Sequence, residues 1–253
     1  MGGQMMRPRR LTIGTTHTLI VEKQTMQVHV NIVRTTTKYP KTKKPLTDYS
    51  HDVLKKPSSA KLGGAGRYVK KGKLKGAEVY TLTLTERETC PQSCGHWDDC
   101  YGNNMPFAHR LEHGPELENR LIAEVKDKCR KAAEKGRKVL VRLHVLGDFY
   151  SAEYVYLWDR LFAENSNLNV WGYTHVTPED NYQTYKALHR MRIDWGDRWA
   201  VRWSDTGGYF SANSEKLGTR GIVCPEQEGK TAACTTCSLC WDAPDKNIIF
   251  KTH

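Results

Sequence analysis

A chain of 253 residues can bury a sizeable core in one domain, alone or with an appendage. No run approaches eighteen apolar residues and no apolar signal core follows the basic start, which argues against a membrane span and a secretory leader. Met6 stands where a myristoylation motif after Gly2 would need Ser or Thr. The net charge of +11 is uneven: residues 1–79 carry 17 Lys/Arg against 4 Asp/Glu, and residues 80–253 carry 22 against 24.

The basic excess therefore precedes the first cysteine. It is concentrated in Arg7, Arg9 and Arg10, in Lys41, Lys43 and Lys44, in Lys55-Lys56, and in Lys70, Lys71, Lys73 and Lys75, among Thr, Gly, Pro and Ser. Such a stretch reads either as an arm for a polyanion, nucleic acid above all, or as a solubilising extension. The domain division expected is 1–79, a basic extension part β and part flexible, and 80–253, a cysteine-cluster domain.

In chain order, residues 18–34 alternate and are β-rich, and suggest a hairpin or edge strands. Residues 58–79 read as a Gly/Lys-rich loop, and Tyr80 to Leu84 as a strand leading at once into cysteines. Residues 115–135 place Leu117, Leu121, Val125, Cys129 and Ala132 at helical spacing, with Cys129 as buried filler. A strand over Val139 to Phe149, a helix over 151–164, a strand over Asn169 to Val176, a helix over 179–190 and a strand over Trp199 to Ser204 follow. This alternation predicts a parallel sheet with right-handed crossovers.

The predicted strand faces are unequal. Val139, Val141, Leu143 and Val145 share one face; Arg142, His144 and Asp148 lie on the other, with Trp171, Tyr173, His175, Arg202 and Ser204, and with Thr81 and Thr83. One apolar and one repeatedly polar face suit a curved sheet or partial (β/α) barrel lining a polar cavity. Arg142, His144, Asp148, Tyr173, His175 and Arg202 are the candidate cavity residues; an ion-pair network of Arg142, Asp148 and Arg202 is the structural alternative.

Seven of eight cysteines form two groups, Cys90, Cys94 and Cys100 (C-x3-C-x5-C) and Cys224, Cys234, Cys237 and Cys240 (C-x9-C-x2-C-x2-C). In a reducing cytoplasm such clusters hold metals more often than disulfides. Soft thiolates select zinc, copper(I) or iron–sulfur clusters. The C-x2-C-x2-C run and the surplus over one tetrahedral site favour iron–sulfur, one or two clusters with 4Fe-4S the expected type, and leave zinc as the alternative. His96 is a candidate fourth ligand for the first group.

Three stretches carry a family resemblance: Tyr80-Thr-Leu-Thr-Leu-Thr through Cys90-Pro91-x-x-Cys94 to Cys100-Tyr101-Gly102-Asn103-Asn104; Arg142-Leu-His144-Val-x-Gly147-Asp148-Phe149 with Gly172-Tyr173-Thr174; and Cys224-Pro225 through Cys234-x-x-Cys237-x-Leu239-Cys240-Trp241. From about residue 58 to 250 the chain resembles the phage gene-product-eighty-eight-like family. The resemblance implies a phage origin and so a host-cell cytoplasmic setting; the basic N-terminal extension adds viral nucleic acid or its packaging machinery as the expected partner. A fold-level likeness to radical S-adenosylmethionine enzymes adds an expected barrel with a three-cysteine loop after its first strand. It implies an open iron that binds S-adenosylmethionine. Those enzymes typically carry C-x3-C-x2-C with an aromatic residue before the third cysteine, where this chain has C-x3-C-x5-C and Asp99.

Overall fold

Apolar periodicity builds the helices, and their apolar stripes choose one face of the sheet. The computed structural model describes residues 43–44, 51–62, 68–207 and 210–251, all within one unit, residues 33–253. In chain order the elements are β1 (Lys43–Lys44), β2 (Glu78–Thr81), β3 (Arg110–Leu111), α1 (Pro115–Ala133), β4 (Val139–Leu143), α2 (Ala152–Glu164), β5 (Leu168–Thr174), α3 (Pro178–Trp195), β6 (Trp199–Ser204), β7 (Ser211–Ser214), β8 (Ile222–Val223), the short helices α4 (Cys234–Cys237) and α5 (Leu239–Asp242), and β9 (Ile248–Phe250).

Seven strands form one parallel sheet in the order β2-β4-β5-β6-β7-β9-β8, while β1 pairs with β3 separately. From β2 to β6 the sheet winds in one direction. The mixed α/β class and the parallel sheet follow the expectation; β2 and β8 are edges, and the sheet does not close.

Helices α1, α2 and α3 all pack on the face carrying Val139, Val141, Leu143, Val170 and Val201. Leu117, Leu121, Val125 and Cys129 from α1, Leu157, Trp158 and Leu161 from α2, and Leu188 and Met191 from α3 fill that layer. Each helix starts on a local signal: Pro115 in the first turn of α1, the Ser151 side chain accepting from Tyr154 N–H at α2, and a Thr177–Asp180 capping box at α3.

The opposite face departs from the expected open polar cavity. Val79, Leu140, Trp171 and Ala200 form a second apolar core there with Leu62, Val69, Leu74, Ala77 and Trp241. Trp171 and Trp241 meet edge to face at 5.0 Å. Only nearer the strands' C-terminal ends does this face turn polar, with Arg142, Tyr173 and Arg202. The Gly/Lys-rich stretch is therefore part of the fold. Lys70 N–H donates to Thr235 O (2.8 Å), and Lys73 N–H donates to Asp242. Val53 and Leu54 are buried, and their N–H groups donate to the Glu124 carboxylate at 2.9 and 3.0 Å. The expected boundary between 79 and 80 falls inside β2.

β4 is shorter than predicted, and the reason re-aims a site residue. Leu82 donates to the Arg142 carbonyl and accepts from Val145 N–H. A regular parallel ladder would return one residue earlier, so β4 bulges at 143–144. Gly172, opposite Leu143, permits this: a Cβ there would lie 1.7 Å from the Leu143 carbonyl oxygen. An extra residue flips the alternation. His144 consequently turns into the helix-side core, against Phe149 (4.7 Å between ring centroids) and with Nε2 3.0 Å from the Tyr154 hydroxyl.

Candidate metal centre

The first cysteine loop leaves the C-terminal end of β2 and is held from below by buried charge. Arg110, 1% exposed, bonds Glu86 at 2.5 Å and donates to the carbonyls of Gly102, Met105 and Ala108. Arg87 donates to the Trp97 carbonyl and to Asn103 Oδ1 (2.8 Å). These bonds shape the Trp97–Ala108 stretch that carries Cys100. Sequence reading missed Glu86, Arg87 and Arg110, which look like ordinary surface charges until burial is known.

Three further bonds lay the loop across the ends of β4, β5 and β6. Thr89 Oγ1 accepts from Asp148 N–H (3.1 Å), Ser93 donates to Asp180 (2.6 Å), and His96 Nε2 lies 2.8 Å from Asp205. His96 also places Nδ1 3.2 Å from Asp99. Both its ring nitrogens face carboxylates, so in this arrangement His96, the candidate fourth ligand, ties the loop to Asp205. Gly147 adopts φ +87°, and a Cβ there would crowd Thr89 and Leu84; only glycine lets the two loops meet this closely.

Asp148 is 4% exposed and accepts from Phe149 N–H and His175 N–H, both at 2.7 Å. Burial pushes its carboxyl up to about 7, against the pull of these hydrogen bonds. Asp148 pins the β4 loop to the end of β5. Arg202, fully buried, donates to the carbonyls of Cys240 (2.5 Å), Ala243 (2.7 Å) and Lys246 (3.2 Å). The alternative ion-pair network of Arg142, Asp148 and Arg202 is therefore absent: Asp148 and Arg202 are each satisfied by backbone. His175 is half-buried with Nδ1 lacking a hydrogen-bond partner; burial lowers its imidazole, and Asp205 and Asp180 oppose that.

The second cysteine group lies on the inner face of the sheet. Cys224, Cys234, Cys237 and Cys240 line one hollow of about 270 Å³, counted with its opening, together with Pro225, Glu226, Leu239, Trp241 and Ile248. The Tyr173 hydroxyl donates to Cys240 Sγ at 3.4 Å. All eight cysteines are free thiols. Burial raises Cys90 strongly, Cys94 to about 11 and Cys234 to about 12. Among the described residues no three His, Cys, Asp or Glu side chains converge on a point where one metal ion would sit. An all-sulfur donor set around a hollow suits a thiophilic centre.

Of the basic residues singled out, Lys70, Lys71 and Lys73 are exposed on the loop before β2. Lys43 and Lys44 form β1. Arg7, Arg9, Arg10 and Lys41 lie outside the described residues, as does the 18–34 segment. No helix among the described residues is long and apolar enough to cross a membrane.

Fold and site together define a parallel α/β protein with two cysteine-bearing loops, one across the strand ends and one on the inner face. The chain belongs to the gene product 88 family, whose sequence profile matches residues 52–243. The Gene 88 protein of Mycobacterium phage L5 is 29% identical over 160 residues, 54% of this chain and 63% of the phage protein. The Gene 88 protein of Mycobacterium phage D29 is 28% identical over 147 residues, 51% and 59% of the two chains. The match thus spans about three fifths of these relatives. No solved structure matches the chain.

Proposed function

We propose that this is a phage iron–sulfur protein in which the two cysteine loops hold one or two 4Fe-4S clusters. The observation that carries the reading is the gathering of four free thiols, Cys224, Cys234, Cys237 and Cys240, around one hollow. Zinc would need its ligands crowded about a single point, whereas a cuboidal cluster takes each thiolate at a different iron.

When bound, such a cluster supplies electron transfer and, where only three cysteines ligate, an open iron for a small molecule. The chain's own residues hold the frame: Arg202 fixes the backbone at Cys240, Tyr173 donates to its sulfur, and Asp148 ties the strand ends together beside Cys90. Burial raises the thiols of Cys90, Cys94, Cys100, Cys234 and Cys240, so loading must displace protons from them and should improve as pH rises.

Anaerobic reconstitution followed by absorption, iron and sulfide assays tests the reading. Wild type should show a broad visible shoulder; Cys94→Ala should lose iron and solubility, and Cys129→Ala, in the helix-side core, should retain its iron. A colourless protein that binds zinc, or equal iron in wild type and Cys94→Ala, would sink it.

A second reading, a radical S-adenosylmethionine-type enzyme on a partial barrel, is favoured by one observation. The sheet winds one way from β2 to β6 with α1, α2 and α3 on one face, and a three-cysteine loop follows β2. On that reading S-adenosylmethionine perturbs the electron paramagnetic resonance signal of the reduced protein; no change at saturation removes it. The basic segment supports nucleic acid, or a viral assembly containing it, as partner.

A further inference from the structure

Four arginines reach the interior around the cysteine loops, and three are held by hydrogen bonds. Arg110 has Glu86 and three carbonyls, Arg202 has three carbonyls, and Arg87 has the Trp97 carbonyl and Asn103, with only its Nη1 lacking a hydrogen-bond partner. Arg142 differs from them. Its Nε is buried without a hydrogen-bond partner, and among the described residues its guanidinium enters no ion pair.

Its surroundings are those of a receptor for negative charge. Arg142 lies on the inner face of β4, level with Thr81 on one side and Trp171 on the other. Tyr173 follows on the same face of β5. The Arg142 carbonyl accepts from Leu82 N–H, on the stretch that runs into the first cysteine loop. On its other side Tyr173 donates to Cys240 Sγ, and Trp171 meets Trp241, the residue after Cys240, at 5.0 Å. Arg142 therefore stands between the two cysteine-bearing segments. A guanidinium kept half-buried without a carboxylate carries a desolvation cost that a bound anion would offset.

We propose that Arg142 anchors a binding site for a small ligand bearing an oxyanion, carboxylate or phosphate. The planar fork of guanidinium matches both anions in bidentate fashion. The inference deepens the proposed function, and rests on it only for what the bound ligand faces: an anion held here lies between the two cysteine groups.

The test is calorimetric titration of the full chain, reconstituted and as purified, with inorganic phosphate, pyrophosphate and succinate at matched ionic strength. One class should bind the wild type, and which one does separates phosphate from carboxylate recognition. Arg142→Gln should weaken binding at least tenfold with iron content unchanged. Arg142→Lys, which keeps charge but not the fork, should retain part of it and serves if the glutamine variant does not fold. No binding by any of the three, or equal binding by both variants and wild type, overturns the inference. So does a shifted reduction potential in Arg142→Gln without anion binding, since Arg142 would then be the counter-charge of the cluster. Loss of binding in a protein that takes up no iron would sink the cluster and leave the anion site standing.

Discussion

His144 is a base enclosed by aromatic side chains, and burial pulls its imidazole down to about 3 from an ordinary 6.5. Between those values the unfolded chain takes up a proton that the folded one refuses, so stability is lost as pH falls through that window. His144→Phe should remove this contribution: by pH 4.5 wild type should have lost roughly 3 kcal/mol more than the variant, relative to pH 7.5, in urea unfolding. Parallel curves for the two proteins would contradict the burial. The strand pattern placed His144 beside Arg142 because alternation assumes an unbroken ladder. The bulge opposite Gly172 is set by a backbone contact between two strands, which one strand's pattern does not carry. The cysteines were legible for the opposite reason, since their spacing is itself the signal. Arg142 and Tyr173 lie on the face that alternation assigns them, because both precede any break in it.

At the scale of elements, α1, α2 and α3 were readable within a few residues because an amphipathic helix repeats its apolar stripe over several turns. Strands β7, β8 and β9 have two to four residues each, too few for alternation to register. Among the ties that fasten the α4–α5 segment, one side chain makes three. Arg202→Ala would leave the carbonyls of Cys240, Ala243 and Lys246 without their donor, at a cost of about 3 kcal/mol. Limited proteolysis should then cut near residues 240–246, where wild type resists. Gly172→Ala tests the bulge: its Cβ cannot coexist with the Leu143 carbonyl, and the forced shift of β4 should cost about 3 kcal/mol in urea unfolding. An alanine variant as stable as wild type would remove the bulge from the account.

Across the whole molecule, the parallel sheet was evident from strand–helix alternation, but its second core was not. Leu140, Trp171 and Ala200 are covered by Leu62, Val69, Leu74 and Trp241, partners far apart in sequence whose only shared property is apolarity. That coverage also limits what can be removed when the basic segment is tested. Val53 and Leu54 belong to the helix-side core, so a truncation should stop well before them. If the segment engages about six phosphates, log K should fall with log salt at a slope of roughly −5. Removing residues 1–40 takes away Arg7, Arg9 and Arg10 and should flatten that slope, yet leave a cluster spectrum intact. An unchanged slope would mean the segment's charge serves solubility alone.

Order of synthesis gives the inner face a history. Leu140, Trp171 and Ala200 emerge from the ribosome well before Trp241 and β9. Until those follow, the growing sheet presents a bare apolar surface. The period before the α4–α5 segment settles is thus when the nascent chain is most prone to stick to its neighbours.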